Sequence, residues 1–294
     1  MHIKSYAIRW IGRMGIAGAN RCLAAVVGVE RAKVLNAKIY QKRNLDLKHP
    51  RKLNEKLLYH YYHSDMKQMA RLTDKYEVRN YVCQRGLQEI LVPLYGIFNR
   101  FDEINFETLP EKFVLKATHG CDMNEICKDK SRLNVKALRK KVNFWMHCNM
   151  AYVSLELHYQ KIRPRLLCEK YLETKEEIID YKFHCCDGKV MFVLICTERS
   201  GGAYLDVYMP DWTHRPEVII DAENNPNSIK KPEQFKKMIE IAETLAKGLA
   251  FVRVDLYEVD RKVYFGELTF TPATGVLKNF SDKFQLEVGD KWNI

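Results

Sequence analysis

Residues 251 to 270 read FVRVDLYEVDRKVYFGELTF. Both halves of this stretch alternate apolar and polar residues with the period of two that a half-buried strand requires, and Asp260, Arg261 and Lys262 separate them. With those three residues as the loop, Val259 opposes Val263, Asp255 falls opposite Glu267, and Arg253 falls opposite Thr269. One face then carries Arg253, Asp255, Tyr257, Phe265, Glu267, Thr269 and Thr271, and the other carries Val252, Val254, Leu256, Tyr264 and Leu268. Opposed Cβ atoms lie about 4.5–5.5 Å apart, where like charges repel. A shared cation relieves that repulsion, and paired hard oxygens suit the Mg²⁺ that travels with nucleotide phosphates. The plainer alternative is an exposed hairpin whose acids face water. A two-residue loop would shift the register and part the two carboxylates.

Upstream, Asp187–Gly188 is a two-residue turn signal between YKFHCC and KVMFVLIC, so Cys186 pairs with Lys189. That register puts Asp180, Lys182 and His184 on one face with Met191, Val193 and Ile195, a wall suited to a nucleotide base and its ribose, or else a structural salt bridge. Lys116 leaves the apolar strand 113–117 just before Thr118–His119–Gly120, a common way to hold phosphate, although a snorkelling surface lysine reads the same. Glu169 follows an apolar strand within 165–172 and is placed to accept from an exocyclic amine, or is an ordinary strand-end carboxylate. Helical periodicity is expected over 64–85, 132–149 and 233–250, the last with Phe235, Met238, Ile239, Ala242, Leu245, Ala246 and Leu249 on one face. Residues 91–98 read as a further strand-like run. Helices and strands mix without a βαβ rhythm, so the class is α+β.

The 294 residues, 47% of them hydrophobic, suffice for one large domain or two coupled ones. The net charge of +11 favours anionic partners, but no basic–aromatic motif stands out and nucleic acid is not expected among them. Nine cysteines, several inside apolar runs, point to a reducing, cytoplasmic setting and complete no zinc pattern. Residues 14–29 are apolar except for Asn20 and Arg21, a poor fit to a membrane span or a signal peptide. Trp10, Ile11, Met14 and Ile16, with Lys4, Arg9 and Arg13, make an amphipathic helix. It lies either on anionic lipid at the inner face of the cell membrane or on the protein's own core.

The stretches NEKLLYHYYHSD, LTDKYEVRNYV, EKFVLKATHG, ICKDKS, RPRLLCEKYLE, DYKFHCCDGKVMFV and FVRVDLYEVDRKVYFGELTFTPATG, in that order from about Asn44 to Gly275, resemble the TupA-like ATP-grasp family of cell-surface polysaccharide gene sets. The resemblance implies two α+β subdomains clasping ATP, preceded by a helical N-terminal region. It divides the chain into an N-terminal helical segment with the membrane-surface or core alternatives given above (1–43), a helical region (44–112), a first subdomain (113–172) and a second with the metal-binding hairpin (173–294). It implies phosphate contact by Lys116 with His119 and Gly120, adenine contact by Glu169 with backbone near Tyr171 and Leu172, and ribose and phosphate contacts by Asp180 and Lys182. Asp255 and Glu267 match the magnesium carboxylates, with Thr269 where many relatives have Asn. Arg253 faces the transferring phosphoryl group, with Lys182 as the second catalytic cation. The loop after Gly120 departs from the usual His-Gly-Ser-Gly type. The implied activity is an ATP- and Mg²⁺-dependent carboxylate–amine ligase in surface polysaccharide synthesis. The alternatives are glycosyl transfer from a sugar nucleotide and a non-catalytic nucleotide-binding protein. Residues 198–232 are the expected surroundings of the acceptor; Arg163, Arg165 and Arg199 either meet an anionic acceptor there or, as the plainer reading has it, are solvated surface cations.

Overall fold

A computed structural model describes residues 3–174, 178–197 and 204–293, so Arg199 and the start of the expected acceptor loop lie outside the described residues. Five helices come first: α1 (Ile3–Val27), α2 (Val29–Gln41), α3 (Leu53–His63), α4 (Met66–Thr73) and α5 (Glu77–Gln84). They are followed by β1 (Leu94–Phe98), β2 (Phe113–Ala117), β3 (Asn124–Cys127), α6 (Val135–His147), α7 (Ala151–Ser154) and β4 (Leu166–Lys170). The C-terminal part holds β5 (Asp180–Cys186), β6 (Lys189–Thr197), β7 (Tyr204–Tyr208), α8 (Phe235–Ala246), β8 (Phe251–Val259), β9 (Lys262–Thr269) and α9 (Asp282–Lys291). The chain divides into two units, one of Met1–Leu45, Asp65–Tyr76 and Leu94–Tyr171, the other of Asp46–Ser64, Glu77–Pro93 and Leu172–Ile294. The stretch 44–112 contributes segments to both.

The first unit is built on a four-stranded antiparallel sheet in the order β1-β4-β2-β3. Alternation in β2 sends Phe113, Leu115 and Ala117 into a core with Leu166, Cys168, Leu138, Val142 and Trp145. Lys116 and Glu169 therefore stand on the other face. Asn134 caps α6 by accepting from Ala137 N at 3.0 Å, which starts the helix that covers this core. Trp10 of α1 is fully buried in the same cluster, edge-on to Phe144 with ring centroids 5.5 Å apart, so α1 packs on the protein's own core through this residue. Asn20, the polar interruption of the apolar run, also points inward and donates to the carbonyls of Tyr152 (2.9 Å) and Val153 (3.2 Å). Among the described residues no helix is long and apolar enough to cross a membrane.

The single helix expected over 64–85 is two helices. Asp74 Oδ1 accepts from Tyr76 N at 2.8 Å, a side-chain turn that competes with the helical ladder and ends α4.

The second unit holds a five-stranded antiparallel sheet in the order β7-β6-β5-β8-β9. Its central strand β5 is buried along its whole length. Helix α8 lays Phe235, Met238, Ile241, Ala242, Leu245 and Ala246 on one face of the sheet. Ile241 takes the inward place expected of Ile239, which is only half-buried. That sheet face carries Tyr181, Phe183, Val254, Leu256, Phe265 and Leu268, which the registers set side by side. All nine cysteines are free thiols, six of them buried.

Candidate active site

The 251–270 hairpin brings Asp255 opposite Glu267 and Arg253 opposite Thr269, but by a different route from the three-residue loop expected from sequence. The turn has two residues: Asp260 (φ 50°) and Arg261 (φ 60°) are both left-handed, and Val259 pairs with Lys262. Alone, that slip would separate the acids. A bulge between Asp255 and Leu256 on β8 and their partners Glu267 and Phe265 leaves Gly266 as the extra residue and restores the register below it. Glycine is required there, because a Cβ would lie 2.7 Å from Tyr257 Oη and 3.0 Å from the Asp255 carbonyl oxygen. The bulge also exchanges two neighbours: Phe265, expected beside Glu267, pairs with Leu256 on the core face, and Tyr264 pairs with Tyr257.

Lys182 of β5 lies opposite Asp255, and His184 opposite Arg253, so three strands contribute to one polar face. On it the charges alternate. Lys182 Nζ donates to Asp180 (3.1 Å) and Asp255 (2.7 Å), while Arg253 donates to both oxygens of Asp255 (2.6 and 2.7 Å) and to Glu267 (2.9 Å). Thr269 Oγ1 donates to the same Glu267 oxygen at 3.1 Å. The Asp255 carboxylate is 4% exposed and Glu267 is 40% exposed. Burial pushes the Asp255 carboxyl up, but Arg253 and Lys182 outweigh it and hold the group below its ordinary range. The same burial opposes the charge on Arg253, and the two carboxylates override it, raising that guanidinium further.

The repulsion anticipated between the two acids is thus neutralised by side chains of the sheet itself. Three carboxylates and two cations share one continuous network on this face. The donor set fits a divalent metal: two opposed carboxylates with a hydroxyl beside the more exposed one are the hard oxygens Mg²⁺ takes. No cluster of three or more His, Cys, Asp or Glu suited to a metal occurs among the described residues.

His184 stacks on Phe192 with centroids 4.3 Å apart and is 1% exposed. Its Nδ1–H donates to the Lys182 carbonyl at 3.1 Å, and Nε2 has no hydrogen-bond partner among the described residues. Burial, assisted by Arg253, drives its pKa down to about 3, so the ring is neutral. The wall expected from the first hairpin is composed differently. A register shift between His184 and Cys185 aligns Asp180, Lys182 and His184 with Cys196, Leu194 and Phe192 rather than with Ile195, Val193 and Met191.

In the first unit Lys116 Nζ makes an ion pair with Glu169, whose side chain is 9% exposed. The pairing follows from register: Glu169 opposes Val114, two residues along β2 on the same face. Both expected nucleotide contacts are therefore engaged with each other. His119 is 3% exposed, with Nε2–H donating to the Trp145 carbonyl at 3.0 Å and Nδ1 without a hydrogen-bond partner among the described residues. It is a core residue here, neutral because burial lowers its pKa. Gly120 sits so close to Met123 and Met150 that a Cβ would meet both at 3.0 Å. Tyr171 is half-buried beneath the Lys128 ammonium, 5.8 Å from its ring, and Leu172 is half-buried at the start of the second unit's last segment.

Sequence reasoning did not single out Lys75. Its backbone N–H donates to the Thr118 carbonyl (3.3 Å) and its Nζ to the Gly120 carbonyl (2.7 Å), tying the loop after β2 to the 65–76 segment. Arg165 is equally tied, donating to Asp74 at 2.9 Å with its guanidinium 4.7 Å from the Tyr76 ring, rather than solvated. The signal was present as the charged DKY step within LTDKYEVR, which reads as ordinary helix surface until the break at Asp74 is known.

The chain is similar in fold to D-alanine–D-alanine ligase from Bacillus anthracis: TM-score 0.50, 17% identity, covering 77% of this chain and 65% of that one. The same enzyme complexed with ATP matches with a TM-score of 0.50 and 16% identity, over 77% of this chain and 64% of that one. The chain thus spans slightly less than two thirds of those structures' length. No curated protein matches the sequence. The family model described as TupA-like ATPgrasp matches residues 51–293, which takes in the polar face of the five-stranded sheet and the Lys116–Glu169 pair alike; the chain belongs to the TupA-like ATP-grasp family.

Proposed function

We propose that this protein is an ATP-dependent carboxylate–amine ligase of cell-surface polysaccharide synthesis. The observation that carries the reading is the Asp180–Lys182–Asp255–Arg253–Glu267 array on the sheet of an ATP-grasp chain. The polysaccharide role rests on the family resemblance alone. The γ-phosphoryl group of ATP passes to an acceptor carboxylate, giving an acyl phosphate and ADP. An amine then attacks the acyl carbon and phosphate leaves as the C–N bond forms.

Catalysis of this kind is positioning and charge neutralisation, which needs no side-chain nucleophile. Asp255, Glu267 and Thr269 would hold Mg²⁺, which when bound offsets charge on the phosphates. Arg253 and Lys182 then turn from the carboxylates toward the transferring phosphoryl oxygens. Lys116 exchanges its Glu169 partner for phosphate, and Glu169, relieved of the ammonium, accepts from the adenine amine. Asp180 binds the ribose. His119 supports the loop from behind, through the Trp145 carbonyl, and Gly120 keeps its backbone free of a side chain. Tyr171 and Leu172 offer backbone to the base.

The test is ADP release by the purified chain with MgATP, uronic acids and amino acids. Turnover should fall at least about a hundredfold in Asp255→Asn and Glu267→Gln, because transition-state charge neutralisation is lost. Wild-type turnover in both variants removes the proposal, and nucleotide binding without any turnover favours the non-catalytic reading.

A further inference from the structure

The first 43 residues contain nine lysines and arginines and one acid, Glu30, and so carry +8 of the chain's +11. The α1–α2 hairpin turns its polar interior groups inward: Asn20 bonds the carbonyls before α7's end, Lys33 donates to the Ser154 carbonyl at 2.8 Å, and Arg13 pairs with Asp122 at 2.7 Å. The outward face is the apolar one. Ile11 is 71% exposed, Ile16 53% and Val26 82%, and a Cβ built on Gly12, Gly15 or Gly18 would meet nothing within 4 Å. Between residues 11 and 26 the exposed positions include a single charge, Arg21. On α2, Ile39 and Tyr40 are exposed beside Arg31, Lys38 and Lys42, which are exposed as well.

A helix on the surface of a water-soluble domain ordinarily shows water its charged side. Here that order is reversed over four turns, with the exposed cations Arg31, Lys38 and Lys42 beside it. A second copy of the chain is a poor occupant. A two-fold interface sets the same patch against itself, and so sets these cations against their own copies. An anionic lipid surface answers both features, taking the apolar side chains into the headgroup boundary while phosphates meet the arginines and lysines.

We propose that the outward face of the α1–α2 hairpin docks on an anionic membrane surface, independently of the nucleotide chemistry. The experiment is flotation of the full-length chain with phosphatidylcholine vesicles, with or without an equal part of phosphatidylglycerol. The chain should float with the anionic vesicles only, and added salt should weaken its binding. Ile16→Asp and Val26→Asp should each lower partitioning on the order of tenfold, and Lys38→Glu by at least about fivefold. All three positions are exposed, so thermal midpoints should stay at the wild-type value. The wild-type vesicle comparison stands even if one variant misfolds. Flotation with neither vesicle, equal flotation with both, or full binding by Val26→Asp overturns the proposal. So does a wild-type dimer that Val26→Asp dissociates without any vesicle binding.

Discussion

Replacing Arg253 with Met keeps a side chain of similar reach but removes the guanidinium that donates to both oxygens of Asp255 and to Glu267. The Asp255 carboxylate, 4% exposed, would keep Lys182 as its remaining cation. Removing one partner of a buried pair costs about 3–5 kcal/mol, because the remaining charge stays desolvated. Glu267, at 40% exposure, is screened by water and adds little to that figure. The pH dependence follows from the lowered Asp255 pKa. A carboxyl held below its unfolded value stabilises the fold above about pH 3.9 and ceases to do so as the pH falls through the folded value. Without Arg253, burial raises that carboxyl, so Arg253→Met should show its full deficit at neutral pH and a shrinking one toward acid. Urea unfolding followed by far-UV circular dichroism, at neutral pH and again near pH 3 to 4, measures both. Millimolar Mg²⁺ should restore part of the variant's stability, since a divalent ion can stand between the two carboxylates where the guanidinium stood. A variant within about 1 kcal/mol of wild type at neutral pH would refute the view of Arg253 as the neutralising cation; the threshold is the usual size of an exposed pair. A deficit that is the same at every pH would do so too.

Gly266→Ala should cost about 1–3 kcal/mol in the same unfolding assay, as overpacking does. It should also blunt any thermal shift by MgATP, since its Cβ would press on the Asp255 carbonyl and on Tyr257; wild-type values for both would disprove the bulge. Burial lowers the His158 pKa to about 4 and also lowers that of His119. The unfolded chain takes up those protons first, so stability should be full above about pH 6.5 and fall toward pH 4 by roughly 1.4 kcal/mol per pH unit for His158, with His119 adding to the fall in the same direction. In His158→Phe the slope should lose one proton's worth, and a flat wild-type profile over that range would contradict the burial of these rings.

Strand positions in both hairpins were legible because alternation and turn residues are local signals. Two features were not. The bulge at Gly266 depends on how Tyr257 packs across the ribbon, and a glycine inside a strand says only that some irregularity is possible. The Asp255–Glu267 pairing came out as expected because the shorter turn and the bulge offset each other. In the first hairpin a shift of the same size had nothing to offset it, and Lys182 therefore met Leu194 rather than Val193. The charged residues of the candidate site were identifiable by type, but not their partners. That Lys116 meets Glu169 depends on β2 and β4 being neighbours, which joins residues 53 positions apart. His119, read as a ligand contact, is spent on Trp145 of α6, a contact no spacing rule reaches.

The irregularity at Gly266 divides the ribbon into a tip and a base that keep separate count of their residues. Lengthening or shortening the tip by one residue leaves Asp255 facing Glu267, provided the kink absorbs the difference. The outer end of this hairpin can therefore change by one residue at its turn while the acidic pair stays in place. A loop graft at 260–261 is the natural point at which to attach a reporter without disturbing the chemistry below.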